Sequence, residues 1–434
     1  MTTHAENEIL CRVGPGTAMG GLMRQYWLPA LKSSELKADG DPVRFMLLGE
    51  KLIAFRDTNG KVGVMDHRCP HRCASLFFGR NEEGGIRCVY HGWKFDTDGK
   101  CLEMANVPPH QDFKHKVHAK AYKTAERNGI VYVFMGEAKD APELPPIEAT
   151  LVPEEYMTID FHMRECNWLQ CLEGEIDSSH VAWLHYGLFN QTQFDADGIR
   201  KYQVVTRAPE FVTHETDAGF MYGVHRPADE GNLYWRIAHF MFPCWALPPI
   251  NNIELNFLAR AYVPMDDTHT MCVIMMMKGD PYRKEIAKVP GGSMDLPLLP
   301  NTTDWLGRFR VAANLGNDYL IDRDVQRRLS FTGIEGILTQ DHAVTESIGP
   351  IADRPDEHLA PSDMMITRVR RLLVRAAGAY AESGTLPPSA RNPALYRGLR
   401  SGQFVAPASQ DWLAATRERV ASNPLNYSMA LAAE

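Results

Sequence analysis

No stretch of this chain is apolar for long enough to cross a bilayer, so no membrane-spanning helix is expected. Its first residues, MTTHAENEIL, have neither the basic segment nor the apolar segment of a secretory leader, and residence in the cytoplasm is expected. Positive charge is not in surplus. There are 46 Lys and Arg against 54 Asp and Glu, a net charge of −8, which excludes the electrostatic footprint of a nucleic-acid binder. There is no internal repeat and no low-complexity tract. GPGTAMGG is the nearest approach to a nucleotide-binding loop, and it lacks both a preceding strand and the right glycine spacing. Cysteine is scarce and odd in number, nine in 434 residues, and a reducing compartment disfavours disulfides. Cys11, Cys101, Cys166, Cys171, Cys244 and Cys272 are scattered and read as buried thiols.

What is present is a soluble composition, 44% hydrophobic and 23% charged, in a chain long enough for two domains. PVRFMLLGEKLIAFRDTNGKVGVMD alternates β-rich runs with GE and TNG turns, and similar short runs continue to GIVYVFMG, so residues 40–137 read as a compact all-β module. EAKDAPELPPIEATLVPEEY is rich in proline and acid, as an exposed connection is. The boundary is placed near residue 150, giving a first unit of 1–150 with its N-terminal segment and a second of 151–434. Strand-like stretches follow, KYQVVTRA, FMYGVHRPA, LYWRIAHFMFP and NFLARAYVP, and then helical patterns over 303–328 and 362–383. Sheet first and helices after is an α+β order, with an antiparallel sheet flanked by helices.

Three of the nine cysteines fall within CPHRCASLFFGRNEEGGIRCVYHGW, residues 69–93. Cys69 and His71 are separated by sixteen residues from Cys88 and His91. A structural zinc takes such ligands around one ion. A Rieske-type two-iron, two-sulfide cluster gives both thiolates to one iron and both imidazoles to the other. Each loop here contributes one Cys and one His, as a cluster clamped from both sides requires. Pro70 turns the first loop, and Gly92 lets backbone approach closely in the second. His67 breaks the spacing and is expected at the surface or behind the ligands. Cys73 reads as a packing substitution, with the liability that a thiol beside a cluster can tune it or be oxidised.

The second constellation is NWLQCLEGEIDSSHVAWLHYG, residues 167–187, with polar positions Asp177, His180 and His185. Two imidazoles and a carboxylate on one side of an ion form the facial triad of non-haem ferrous iron. On an ideal helix His180 and His185 lie about 140° apart. Both reach one metal only if the helix is overwound, bulged, or ends between them, and Gly187 offers an ending. The competing reading is an amphipathic helix with Trp168, Leu169, Leu172, Ile176, Val181, Trp183 and Leu184 as its core.

Together the two constellations resemble the oxygenase (alpha) subunit of Rieske non-haem iron aromatic-ring oxygenases. RVGPGTAMGGLMRQYWLPAL, NWLQCLEGEIDSSH and QDHAVTESIGPIADRPDEHL resemble the phthalate-dioxygenase-like branch, so that the likeness runs over nearly the whole chain. It implies a Rieske 2Fe-2S cluster, a mononuclear Fe(II), and activation of O2 to hydroxylate, dihydroxylate or O-demethylate an aromatic carboxylate. Electrons would come from NADH through a separate flavin and iron–sulfur reductase, and the subunits would form a homotrimer or hexamer. In the family the residue matching Asp177 bridges a cluster histidine of one subunit to an iron-bound histidine of the next. The third iron ligand is the acid that follows Gln or Glu and precedes a Glu by five residues. Asp341, between Gln340 and Glu346, matches it, whereas Asp322 and Asp324 lie among Arg323, Arg327 and Arg328 and read as a solvated ion-pair helix. Glu173 stands where other branches place Asn. Arg207, on an expected strand, is the candidate cation for a substrate carboxylate, with Phe240, Trp245 and Leu247 as an apolar wall beside Cys244 and the twin prolines 248 and 249. The second functional class is an electron carrier, a Rieske ferredoxin joined to a non-catalytic domain.

Overall fold

The computed structural model describes residues 2–189, 194 and 198–423. Its N-terminal module has ten strands: β1 (Trp27–Lys32), β2 (Val43–Leu47), β3 (Glu50–Arg56), β4 (Val62–Asp66), β5 (Arg80–Glu82), β6 (Gly85–Arg87), β7 (Trp93–Phe95), β8 (Cys101–Met104), β9 (Ala121–Arg127) and β10 (Ile130–Phe134). They form a six-stranded antiparallel sheet in the order β1-β10-β9-β4-β3-β2 and a four-stranded sheet β5-β6-β7-β8. The TNG turn forms between β3 and β4. There Asp57 accepts N–H bonds from Asn59 and Lys61, and Gly60 takes the left-handed conformation that closes the hairpin. The apolar faces of the two sheets enclose a small core of Ile53, Phe55, Met65, Leu76, Ile86 and Phe95, which holds Cys69 and Cys88 at its edge.

The second unit is built on β11 (Met157–Arg164), β12 (Glu210–Thr216), β13 (Gly219–Pro227), β14 (Asn232–Met241), β15 (Trp245–Leu247), β16 (Ala259–Pro264), β17 (Thr270–Met277) and β18 (Gly402–Pro407). The order is β11-β17-β16-β15-β14-β13-β12, antiparallel throughout, with β18 added to β14. Strands β14 to β17 are buried almost end to end because helices cover the sheet. Helix Trp168–Ile176 lies on β14, β15 and β16, helix Ile337–Ser347 packs on that helix, and helix Met364–Ser383 crosses β12 and β13. The α+β architecture is the expected one.

Three local expectations fail. KYQVVTRA is not a strand: Tyr202–Val205 is a helical turn whose Tyr202, Gln203 and Val204 are buried, so tertiary packing overrides the β preference of the two valines. Residues 303–328 are α-helical only over Arg323–Arg328, after a kinked 3-10 segment at Leu315–Leu320. The rest is irregular, organised by Asn314, whose side chain accepts from Gly316 N–H, and by three consecutive left-handed residues, Asp318, Tyr319 and Leu320. Finally, the N-terminal helices His4–Cys11 and Ala18–Met23, grouped above with the first unit, pack against helix Met364–Ser383. They are tied to the second unit by the Trp168 indole donating to the Leu10 carbonyl and the Asn167 amide donating to that of Cys11.

Candidate metal centres

Two loops at the edge of the four-stranded sheet present the first donor set. In one, Cys69 N–H donates to Ala74 and Cys73 N–H donates back to Cys69; in the other, Cys88 N–H donates to Trp93 and Gly92 N–H to Cys88. The two thiols are buried and adjacent, and burial together with Cys88 pushes the Cys69 thiol up to about 12. The imidazoles of His71 and His91 are half-exposed, 4.4 Å apart between ring centroids. Trp93 stacks flat on His71, with centroids 4.4 Å apart and an interplanar angle of 9°. Among the described residues the one group of three donors within 4.8 Å of each other is elsewhere, so these four do not converge on a single point as a tetrahedral zinc requires. A buried thiol pair and an outward imidazole pair instead fit a cluster with chemically distinct ends. His67 packs edge-on against Trp305 and bonds to Ser75, behind the ligand loop.

The converging group is His180, His185 and Asp341. Helix Trp168–Ile176 ends at Asp177, whose carboxylate accepts from the Ser179 N–H and hydroxyl and so starts the next turn. That turn, Val181–His185, is a π turn with Tyr186 N–H bonded to the Val181 carbonyl. It widens the helix by one residue and swings His185 toward His180, with ring centroids 5.1 Å apart. Asp341, on helix Ile337–Ser347, places Oδ1 3.4 Å from His185 Nε2 and 3.9 Å from His180 Nε2. Burial pushes its carboxyl up, but the charges of His185 and His180 outweigh this and hold it well below the carboxylate range, so the donor is an anion.

Gln340 orients this set. Its amide N–H groups donate to the carbonyls of Gly291 and Ile334, which leaves its Oε1 facing His185 Nδ1 at 2.8 Å. His185 Nδ1 must therefore carry a proton, which leaves Nε2, facing Asp341, as the ring atom available to a metal. Asp177 Oδ2 stands 3.6 Å from His180 Nδ1, and its side chain keeps 21% exposure. Burial opposes its ionisation, yet His180 and the Ser179 donors hold it below its ordinary range. Two imidazoles and one carboxylate, each offering one atom to a common point, suit ferrous iron, which takes histidine as the neutral ring, with positions left open.

Arg207 does not line this cleft. Its guanidinium donates to the carbonyls of Ala182, Tyr186, Gly187 and Phe189 and lies over the half-exposed Trp183, which is therefore not a core residue. Phe240, Trp245 and Leu247 also miss the cleft and pack with Cys244 in the main core; Pro248, Pro249 and Ile250 form the wall instead. Glu173 is buried between Arg354 and Arg370 and takes no part in the centre.

The cleft around the triad has a volume of about 60 Å³ and is partly open to solvent. Four arginines, 164, 200, 236 and 260, line it against three carboxylates, Glu175, Asp177 and Asp341. Arg200 is paired with Glu285 and Arg260 with Glu175. Among the described residues Arg236 has no acid: its Nε lacks a partner, and one terminal nitrogen makes a 3.5 Å approach to the Ser178 carbonyl. Behind it, both terminal nitrogens of Arg226 are also unpaired, and burial and Arg236 pull that guanidinium down to about 10. The signal for Arg236 was in the sequence, a lone arginine within the apolar run LYWRIAHFMFP.

A model of the Rieske [2Fe-2S] domain matches residues 26–121, and a model described as LigXa C-terminal domain like matches residues 133–430. The 3-chlorobenzoate-3,4-dioxygenase oxygenase subunit of Comamonas testosteroni is 48% identical over 97% of this chain and 99% of its own length. The phthalate 4,5-dioxygenase oxygenase subunit of Pseudomonas putida is 37% identical over 95% and 94%. Among solved structures, dicamba monooxygenase bound to 3,6-dichlorosalicylic acid shares the fold with a TM-score of 0.57 at 16% identity, over 83% of this chain and 99% of that one. Likeness to oxygenase subunits across both units leaves an electron carrier with an inert second domain unsupported.

Proposed function

The chain belongs to the oxygenase subunits of the Rieske non-haem iron oxygenases, carrying a 2Fe-2S cluster and a mononuclear iron, and from that premise we propose that it oxygenates a small aromatic carboxylate. The unpaired Arg236 carries this reading. A buried guanidinium costs several kcal/mol unless an anion satisfies it, and among the described residues no side chain does so here. A substrate carboxylate on Arg236, with Arg226 behind it, would present the ring toward the three donors at the far side of the cleft. The two relatives are named for chlorobenzoate and phthalate, acids of this class.

Cys69, His71, Cys88 and His91 would hold the cluster, and His180, His185 and Asp341 the iron. When bound, the iron supplies the redox chemistry by which dioxygen attacks an aromatic compound, with electrons arriving through the cluster. The protein's own work is positional. Gln340 holds the His185 tautomer, Asp177 orients His180 by its Nδ1 side, and Arg236 fixes one end of the substrate.

The chain depends on a partner for electrons, which we assign to an NADH-dependent flavin and iron–sulfur reductase. The partial exposure of Asp177 supports a head-to-tail trimer, or its doubling, in which this carboxylate meets a cluster histidine of the neighbouring copy.

The test is oxygen uptake with a compatible reductase across benzoates and their uncharged amides. Arg236→Leu should raise KM for the acids by on the order of a hundredfold and leave the amides unchanged. Equal loss on both series would remove the carboxylate from the assignment.

A further inference from the structure

The cleft has a second reactive feature, a group of thiols on the side of helix Trp168–Ile176. Cys171 lines the cleft, and its Sγ lies 3.6 Å from that of Cys166, which precedes the N-cap residue Asn167. Cys272 lies against Cys171 from β17. Arg164 reaches the same place from β11. It is 2% exposed, its Nε has no partner, and one terminal nitrogen donates to the Thr345 hydroxyl at 3.3 Å. Among the described residues it has no carboxylate within ion-pair range, and its strongest electrostatic neighbours are Cys272 and Cys171. A buried guanidinium without an acid, set against thiols, favours a thiolate. Burial opposes ionisation of Cys171, but hydrogen bonds from Cys166 and Cys272 and the Arg164 charge draw it below the ordinary thiol range.

We propose that Cys166 and Cys171 are a reversible redox pair that consumes hydrogen peroxide formed in the cleft when oxygen reduction is not coupled to substrate. This rests on the reading that dioxygen is reduced there. The Cys171 thiolate attacks one peroxide oxygen: the O–O bond breaks, an S–O bond forms, and the departing hydroxide becomes water with the proton that Cys171 released on ionising. Cys171 is then a sulfenic acid. Cys166 attacks that sulfur; the S–O bond breaks, an S–S bond forms, and the second hydroxide leaves as water with the Cys166 thiol proton. Two thiols and one peroxide give one disulfide and two waters, the sulfurs supplying both electrons. From 3.6 Å the sulfurs must close to about 2.05 Å. Cys166 lies outside the helix hydrogen bonds that hold Cys171.

Reagent hydrogen peroxide separates this chemistry from the oxygenase reading, because it needs neither substrate nor reductase. The holoenzyme is treated with peroxide, denatured, alkylated and digested with trypsin. Both cysteines fall on one peptide, residues 165–200, and exposed Cys73 serves as the internal control. The expected product is that peptide lighter by two hydrogens, closed to alkylation, and restored by dithiothreitol. Arg164→Met, which lacks the tryptic site before Glu165 and is read on peptide 140–200, should form the disulfide about tenfold more slowly. In Cys166→Ala, dimedone should trap Cys171 instead. Full alkylation of both cysteines under peroxide that oxidises Cys73, or a link from Cys171 to Cys272, would overturn the pair.

Discussion

Cys73 and Gly92 stand at the same place in two matching loops. Each is the fourth residue after a buried cysteine, each donates its N–H to that cysteine's carbonyl, at 2.8 and 2.9 Å, and each is left-handed, with φ of 59° and 75°. The second loop uses the residue suited to that conformation and the first does not.

Cys73→Gly should therefore stabilise the protein by about 0.5–1 kcal/mol, the left-handed strain relieved less the extra freedom glycine gives the unfolded chain. Gly92→Ala should do the reverse by about 1–2 kcal/mol, since a Cβ there would also meet that of Ala105 at 2.8 Å. Thermal midpoints with visible cluster absorbance as the control decide the matter, and a lowered midpoint for Cys73→Gly would contradict the strain.

Gln340→Leu removes the acceptor that holds His185 in its tautomer. Iron affinity at the triad should fall by about 10- to 100-fold while the cluster spectrum is unchanged. Iron content after equilibration with a graded chelator reads this directly.

Asp177→Asn should keep both metals and slow turnover by about a hundredfold, because an amide cannot match a carboxylate between two imidazoles. The informative measurement is reoxidation of the reduced cluster in a single turnover. Wild-type reoxidation would argue against a bridging role, and loss of the mononuclear iron alone would make Asp177 a ligand.

Glu173 gives a stability signature. Burial pushes its carboxyl up, but Arg354 and Arg370 outweigh this and hold it below its ordinary 4.5. A depressed folded value means that the pairing contributes fully above the unfolded value and is lost as pH falls through the folded one. Stability should thus decline below about pH 4.5 more steeply in wild type than in Glu173→Gln. The variant should already be about 3 kcal/mol less stable at neutral pH, where it leaves the buried Arg354 guanidinium without its acid while Arg370 keeps Glu357. Urea denaturation across pH tests both statements.

The candidate metal donors were legible in part because ligand chemistry is encoded in short spacing, Cys-x-His with Cys-x-x-His and two histidines five apart; Asp341, more than 150 residues away, was reached only through the family resemblance. Even the π turn was foreshadowed, since 140° cannot serve one ion. The substrate end was not. Strand alternation separates Phe240, Trp245 and Leu247 from their neighbours, but with both faces of β14 and β15 buried it does not say which face meets the cleft. Arg207 carried the right charge in the wrong place, because a helical turn where a strand was expected redirects it. The helical pattern of 303–328 fails for a similar reason: its polar residues cap and turn the backbone rather than continue it.

In mutational terms a π turn is an α turn with one residue inserted. The Ala182 carbonyl in that turn bonds to Arg207 at 2.8 Å, one of four carbonyls the guanidinium gathers. Deleting one residue between His180 and His185 would bring the pair closer to one helical face, about 40° apart. It would also return carbonyls to main-chain donors and strand the Arg207 guanidinium. Insertion and arginine thus form one structural unit, in which the guanidinium stands in for the main-chain donors that the wider turn displaces.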